Sequence, residues 1–289
     1  MGTIIRYSYK EMIRKKIFLI TVVLTIAFLA LYGFGVYEIN KEIMAHTSNM
    51  QDASTMMMRS AQSIFYISFG LYFSYMLVAF LIIFAASGII SSDIENGTIQ
   101  TVLTRPISRE KYLFGRFMGY FLLVFLYSIF VFLSIILINK FFGISLNLKT
   151  INIIKSILIF SIIPITLLSI TTYFSTKIST LGTGIIIIIL MGLSMVGGMI
   201  EEVGYVISTQ SQVGDRLIKV GIITSLVIPV DNIYRETSRQ LFGEGLLAFS
   251  SFNPFSGTST PSIFMKIYWF LYILIFIFLA LKSFRKKDI

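Results

Sequence analysis

The chain has 289 residues, of which 56% are hydrophobic and only 13% are charged, a balance that excludes an ordinary soluble domain and predicts an integral membrane protein. It has no cysteine and a single histidine, which excludes disulfides, zinc–thiolate centres, thiol catalysis and an HExxH zinc site. Its net charge of +10 lies beside apolar segments and matches anionic lipid headgroups, so we expect membrane lipid, and no nucleic acid, as a partner.

The first sixteen residues combine basic and apolar positions and predict a cytoplasmic amphipathic helix over residues 1–16. A cleavable signal peptide is not expected, because residues 7–16 are charged and the apolar run that follows is too long for a signal h-region. The first apolar run should therefore remain as a membrane span.

Six apolar runs are long enough to cross a hydrocarbon core of about 30 Å. They cover residues 17–36, 64–90, 117–138, 153–174, 182–200 and 263–281. Six spans place both termini on one side, and that side holds fourteen of the 24 basic residues and only five of the 14 acidic ones. By the positive-inside rule the termini are cytoplasmic. We therefore expect an all-α, multi-pass protein of a prokaryotic plasma membrane, with residues 1–289 forming a single transmembrane domain.

A polar cytoplasmic segment, residues 91–116, separates the second and third spans. Ser92 or Asp93 can cap one helical turn, Gly97 can end it, and residues 98–104 can restart as a short helix before Pro106. Apolar residues in the restart share one helical face and suit a groove on a soluble partner; they are Ile99, Val102 and Leu103. Ser108 is expected to cap the third span, where Gly115 and Gly119 predict close helix packing.

The extracytoplasmic segment 201–262 contains an apolar run, residues 217–230, that is too short to span. We predict a re-entrant or interfacial helix there, followed by a short helix over residues 234–242 with Asp231 as its N-cap. Gly243 and Gly245 should end that helix.

Few residues of the chain are of types that serve in catalysis, nucleotide binding or ion transport. No glycine is followed by lysine, so a Walker A loop is absent, and only Lys155 is an ionisable residue near the interior of a span. The chain is therefore expected to be neither an enzyme nor an ion-driven carrier, and to hold no cofactor. A row of hydroxyls in the fourth span, beside the kink expected at Pro164, could line a substrate path or could bond its own backbone; it comprises Ser161, Thr166, Ser169 and Thr172.

Three weaker candidates have simpler explanations. Met56 to Met58 could bind copper(I), but flexible packing is the commoner role. Glu201, Glu202 and Asp231 could gather a cation, although acids that flank a span are usually solvated. His46 has no second ligand to complete a site, so we assign it no role.

The polar segment carries a resemblance to a known family. Glu95-Asn-Gly-Thr98, followed by Leu103-Thr-Arg-Pro-Ile-Ser-Arg109 and Tyr112-Leu-Phe-Gly-Arg116, resembles permease subunits of the ABC-2 transporter family, in particular the permeases linked to multicopper-enzyme maturation. The resemblance implies two permeases paired with two cytosolic ATPase subunits, which bind ATP and magnesium. It also implies that the polar loop and the N-terminal helix couple the two kinds of subunit, and that a re-entrant hairpin precedes the last span.

The resulting prediction is a permease subunit of an ATP-driven exporter that pairs with a second permease copy and with a separate cytosolic ABC ATPase. The predicted ATPase-coupling residues are Glu95, Gly97, Thr98, Ile99, Val102, Leu103, Arg105 and Pro106. The alternative is a membrane anchor or sensor that recruits a soluble partner and transports nothing. The cargo is not encoded in any readable motif.

Overall fold

A computed structural model describes residues 1–47, 53–103, 107–142, 148–208, 212–243, 255 and 261–287. Within these residues all regular structure is helical and no strand occurs. The helices are α1 (Gly2–Arg14), α2 (Lys16–Thr47), α3 (Ala53–Leu81), α4 (Ser91–Glu95), α5 (Thr98–Leu103), α6 (Arg109–Phe141), α7 (Thr150–Phe160), α8 (Ile162–Lys177), α9 (Thr180–Ser208), α10 (Gln212–Val227), α11 (Val230–Phe242) and α12 (Ile263–Arg285). A π-helical turn, Ile82–Ala86, continues α3.

Six helical segments of the described chain are long and apolar enough to cross a membrane. They are Lys16–Glu42, Arg59–Glu95, Arg109–Phe141, Thr150–Lys177, Thr180–Tyr205 and Ile263–Arg285. Each one contains a predicted span, which confirms the all-α, multi-span class. Hydropathy along the sequence can locate membrane spans because a backbone in hydrocarbon must pair its polar groups within one helix.

The second span forms the centre of the bundle. In its most apolar stretch 78% of the residues are buried, against 22% for the first span and 17% for the last. Its Tyr75 stacks on Tyr234 of α11 with ring centroids 5.8 Å apart, and its Tyr72 meets the same ring edge-on at 5.2 Å. The outer spans keep apolar side chains exposed, as expected for surfaces that face lipid or another membrane helix.

The fourth span is interrupted where the sequence predicts a kink. Helix α7 ends at Phe160 and α8 begins at Ile162. Pro164 explains the break, because it has no N–H to donate to the carbonyl of Phe160 and its ring crowds that turn.

Helices α10 and α11 overlap the two helices predicted over residues 217–230 and 234–242, and they meet at a bend of 108° next to Pro229. The predicted capping was wrong, because α11 begins at Val230 with Pro229 as its N-cap and no side-chain cap. Asp231 lies inside the first turn, and its carboxylate accepts a hydrogen bond from Arg235 Nε at 2.8 Å. Gly243 ends α11 with a φ of 76°, a conformation that glycine adopts without a Cβ penalty, whereas Gly245 lies outside the described residues.

Candidate coupling site

Helix α1 packs directly on α6 at the end of the molecule that carries both termini. A Cβ atom at Gly119 would lie 2.5 Å from Ser8 Cβ and 2.7 Å from the carbonyl oxygen of Ile5, and one at Gly115 would lie 2.8 Å from Ile4 Cγ2. The close packing predicted at the two glycines is thus confirmed, with the amphipathic helix as the partner. Without side chains at these positions, the two backbones can approach closely enough to exclude water and lipid.

The second span loses its regular helix just before the polar segment. A π-helical turn, Ile82–Ala86, is followed by a turn that leads to α4. Such a break leaves backbone groups without their helical partners, and π-bulges occur frequently at functional sites. Side chains of α6, of α8 and of Lys15, the residue between α1 and α2, bond some of these groups.

Arg116 of α6 is the centre of this site and is completely buried. Its Nε donates to the carbonyl oxygen of Ile89 at 3.1 Å, in the broken part of the second span. One of its terminal nitrogens pairs with Glu11 of α1, and the other lies 2.5 Å from the carboxylate of Asp93 in α4. The planar guanidinium therefore holds α1, α4 and the broken span against α6, using a donor geometry that lysine could not reproduce.

Two further side chains complete the ionic cluster. Lys15 donates to the carbonyl oxygen of Ala85 at 3.1 Å and to the hydroxyl of Tyr120 at 2.8 Å. Tyr112 donates to Asp93 at 2.6 Å. From the other side, Ser175 of α8 accepts hydrogen bonds from the N–H groups of residues 90 and 91 at 3.0 and 2.9 Å. Four backbone groups near the break, the carbonyls of residues 85 and 89 and the N–H groups of residues 90 and 91, thus find a partner outside the second span.

Charge pairing decides the titration of Glu11. Burial by itself raises the pKa of this carboxyl, but the Arg116 guanidinium and the Lys15 ammonium outweigh burial, so that its pKa lies below the ordinary 4.5. Burial conversely lowers the pKa of Lys15 from its ordinary 10.5, and Glu11 offsets only part of this effect. Glu11 is therefore ionised at neutral pH, in keeping with its pairing to Arg116.

The predicted coupling residues come directly after Asp93 of this cluster in the sequence. Gly97 has a φ of 68°, which permits the sharp turn between α4 and α5, and Thr98 Oγ1 donates to the carbonyl oxygen of Asp93 at 3.1 Å. The side chain of Ile99 is 1% exposed and packs into the core of this chain, so it is not part of a free apolar surface. The side chains of Val102 and Leu103, and all of Arg105 and Pro106, lie outside the described residues.

Glu95 connects the polar segment to the fifth span. Its two carboxylate oxygens accept hydrogen bonds from the backbone N–H of Thr180 at 2.8 Å and from the Thr180 hydroxyl at 3.0 Å. Thr180 is the first residue of α9, where an acceptor satisfies an otherwise unpaired N–H and interacts favourably with the helix dipole. Sequence spacing gave no signal for this contact, because the two residues are 85 positions apart.

The C-terminal end of α12 closes the same region. Arg109, at the start of α6, donates to the carbonyl oxygens of Lys287 at 2.5 Å and Arg285 at 3.4 Å. Tyr112 stacks against Phe284, with ring centroids 6.3 Å apart. Both termini and the polar segment therefore meet at one end of the bundle, which the charge distribution predicts to be cytoplasmic.

A second buried ionic cluster lies in the hairpin and was missed by the sequence analysis. Arg235 is 3% exposed; its NH1 lies 2.9 Å from Glu201 of α9, and its NH2 donates to the carbonyl oxygen of Gly198 at 2.7 Å. With Asp231 as its third partner, it fastens α11 to α9. The i, i+4 spacing of Asp231 and Arg235 was the one available signal.

These ion pairs engage two of the three carboxylates that the sequence analysis considered as a cation site, Glu201 and Asp231. The carboxylates of Glu201 and Asp231 face an arginine, and no group of three metal-ligating His, Cys, Asp or Glu side chains occurs among the described residues. The side chains of Met56, Met58 and His46 lie outside the described part of the chain.

The four hydroxyl residues proposed to line a path are all buried in this conformation. Each donates to a backbone carbonyl three or four residues earlier in the fourth span, at 2.7 to 2.9 Å; the four are Ser161, Thr166, Ser169 and Thr172. A substrate path along them would require the bundle to open, so their transport role remains a prediction.

Comparison with known proteins agrees with this architecture. The sequence profile of the ABC-2 family transporter proteins matches residues 3–289, nearly the whole chain. A search of curated proteins finds no match. With six apolar helices of spanning length, the match identifies a multi-pass protein of the plasma membrane and a permease subunit of an ABC transporter, a type of subunit that pairs with an ABC ATPase. The chain belongs to the ABC-2 transporter family.

Proposed function

We propose that this permease is the membrane part of an ATP-driven exporter, in which two copies of the chain associate with two copies of a separate cytosolic ATPase. The ATPase would bind α1 and the segment 91–116, which share one end of the molecule. The observation that carries the proposal is the buried Arg116, because it links both of these elements to the spans.

The mechanism is mechanical. Closure of the ATPase on ATP displaces α1 and α4, and the ionic cluster transmits the displacement to the broken end of the second span and to α6. Glu95 passes the same movement to the start of the fifth span through Thr180. A rigid, charge-assisted network suits this role, because packed interfaces change between discrete arrangements rather than deform gradually.

ATP binding and hydrolysis are assigned to the partner ATPase. The sequence has no Walker A loop, so ATP and magnesium would bind in the ATPase, and the permease would hold no cofactor and catalyse no reaction. Export as the direction of transport rests on analogy with other ABC-2 permeases.

The test uses the complex of the tagged permease with its co-purifying ATPase. We would compare ATP hydrolysis, and limited proteolysis of the permease with and without a non-hydrolysable nucleotide, in the wild type, Glu95→Ala and Gln100→Pro. Glu95→Gln keeps an acceptor for Thr180 and serves as a matched control. Lys140→Gln removes an exposed charge from the far end of α6, outside the segment proposed to bind the ATPase, and controls for charge alone.

Loss of nucleotide-dependent protection in Glu95→Ala and Gln100→Pro, with the ATPase still bound and the controls unaffected, is the expected result. Unchanged behaviour of both variants would refute the coupling role of the polar segment. A bound ATPase whose nucleotide state never alters the wild-type permease would instead favour the non-transporting anchor.

A further inference from the structure

A basic cavity lies between the ends of α8 and α12. Its volume is about 520 Å³. It is lined by Tyr173, Thr176, Lys177, Leu279, Lys282, Ser283, Lys286 and Lys287. Four lysines thus surround one cavity, at the end of the bundle that carries both termini.

The cations of this cavity are largely available to a ligand. Lys287 donates to the carbonyl oxygen of Thr176 at 2.8 Å, and Lys177 lies over the ring of Tyr173, 5.0 Å from its centroid. Within the described part of the chain none of the four lysines forms a salt bridge. The cavity therefore gathers four cationic side chains, none of which pairs with an acidic side chain of the described residues.

The polarity of the cavity changes along the helices. Tyr173 and Leu279 lie about one turn further into the bundle than Lys177 and Lys282, and the Tyr173 ring is held by an edge contact with Phe276 at 5.6 Å. The inner part is thus apolar, whereas the rim is cationic and carries the Thr176 and Ser283 hydroxyls as further hydrogen-bonding groups. Such a profile fits an amphiphile whose phosphate lies at headgroup level.

From these features we propose that the cavity binds the phosphate-bearing headgroup of an anionic phospholipid, with an acyl chain against Tyr173 and Leu279. The ligand would hold the ends of α8 and α12 together through charge and would thereby support the C-terminal residues that Arg109 contacts. A free phosphate ion would satisfy the lysines but would leave the apolar part of the cavity unfilled.

The test measures lipid binding to the delipidated full chain by native mass spectrometry. The probes are dioleoyl phosphatidylglycerol and, as the uncharged reference, dioleoyl phosphatidylcholine. The pocket variant is Lys177→Gln/Lys282→Gln/Lys286→Gln. The matched control neutralises three other exposed lysines at the same end; it is Lys10→Gln/Lys16→Gln/Lys111→Gln.

We expect one tightly bound phosphatidylglycerol per wild-type chain, and an affinity weaker by about tenfold or more in the pocket variant, since each lysine near an anionic headgroup contributes appreciably. The matched control, and a variant with arginine at the three pocket positions, should bind as the wild type does. If the triple variant fails to fold, Lys282→Gln alone should still weaken binding. Equal losses in pocket variant and control, or no loss in either, would overturn the proposal. Displacement of the lipid by millimolar inorganic phosphate would overturn the lipid as the ligand.

Discussion

Replacing Arg116 with methionine should release α1 from the bundle. The change removes the hydrogen bond to the Ile89 carbonyl and leaves two carboxylates, Glu11 and Asp93, without their main counter-ion. Breaking a buried ion pair by removing one partner costs about 3–5 kcal/mol. The lower end applies here, because the two carboxylates are 22% and 16% exposed and keep hydrogen bonds from Tyr120 and Tyr112.

The chain has no cysteine, so a single introduced thiol reports this release directly. Ser8 is fully buried against Gly119 and its hydroxyl has no hydrogen-bond partner, which makes Ser8→Cys a mild substitution. A loss of about 3 kcal/mol corresponds to a roughly hundredfold faster reaction of Cys at this position with maleimide, if reaction requires undocking of α1.

Two comparisons make the prediction refutable. Lys111→Met removes an exposed cation from the same helix and should leave the labelling rate unchanged. The triple variant Glu11→Gln/Asp93→Asn/Arg116→Met removes both carboxylates together with the arginine and leaves only the partly exposed Lys15 without its ion-pair partner, so it should recover much of the protection. If Arg116→Met labels no faster than the wild type, the cluster does not hold α1, and the transmission mechanism proposed above fails.

Three further outcomes are expected. Gly119→Val should displace α1 and accelerate labelling of Ser8→Cys, because even a single Cβ overlaps Ser8 and the Ile5 carbonyl, whereas Gly2→Val, with no atom near its Cβ position, should not. The contribution of Glu11 to the docking of α1 is present above the ordinary carboxyl pKa of 4.5, and it is lost as the pH falls through the lower pKa that Glu11 has when α1 is docked. A spin label on Tyr7→Cys should therefore become mobile only below about pH 4.5. This transition should be absent from Glu11→Gln. Arg235→Met should lower the free energy of unfolding by about 3 kcal/mol, since it removes the buried arginine that pairs with the carboxylates of Glu201 and Asp231. The exposed Arg216→Met should have little effect in the same melting measurement.

The fold class was predictable because a membrane imposes one dominant requirement. Each span must be an apolar helix of about 20 residues, so hydropathy located all six, and Pro164 located the break in the fourth. The glycine pair at 115 and 119 predicted close packing, since small residues allow helices to approach. Its partner, the N-terminal helix, could not be read from the pattern, because a glycine has no side chain whose chemistry would select one neighbour.

The contacts of the candidate site could not be predicted from the sequence and are shown only by the tertiary structure. The sequence alone determined that residues 91–116 form a polar, broken segment, and the resemblance of this segment pointed to the ABC-2 family. The structure alone decided that Arg116 joins Glu11 to Asp93, that Glu95 binds the start of the fifth span, and that Ile99 turns into the core. These residues are far apart in the chain, and a charged side chain carries no periodic signal that names its partner. Only the packing of the helices, which brings the charges within hydrogen-bonding distance in a low-dielectric environment, makes them a site.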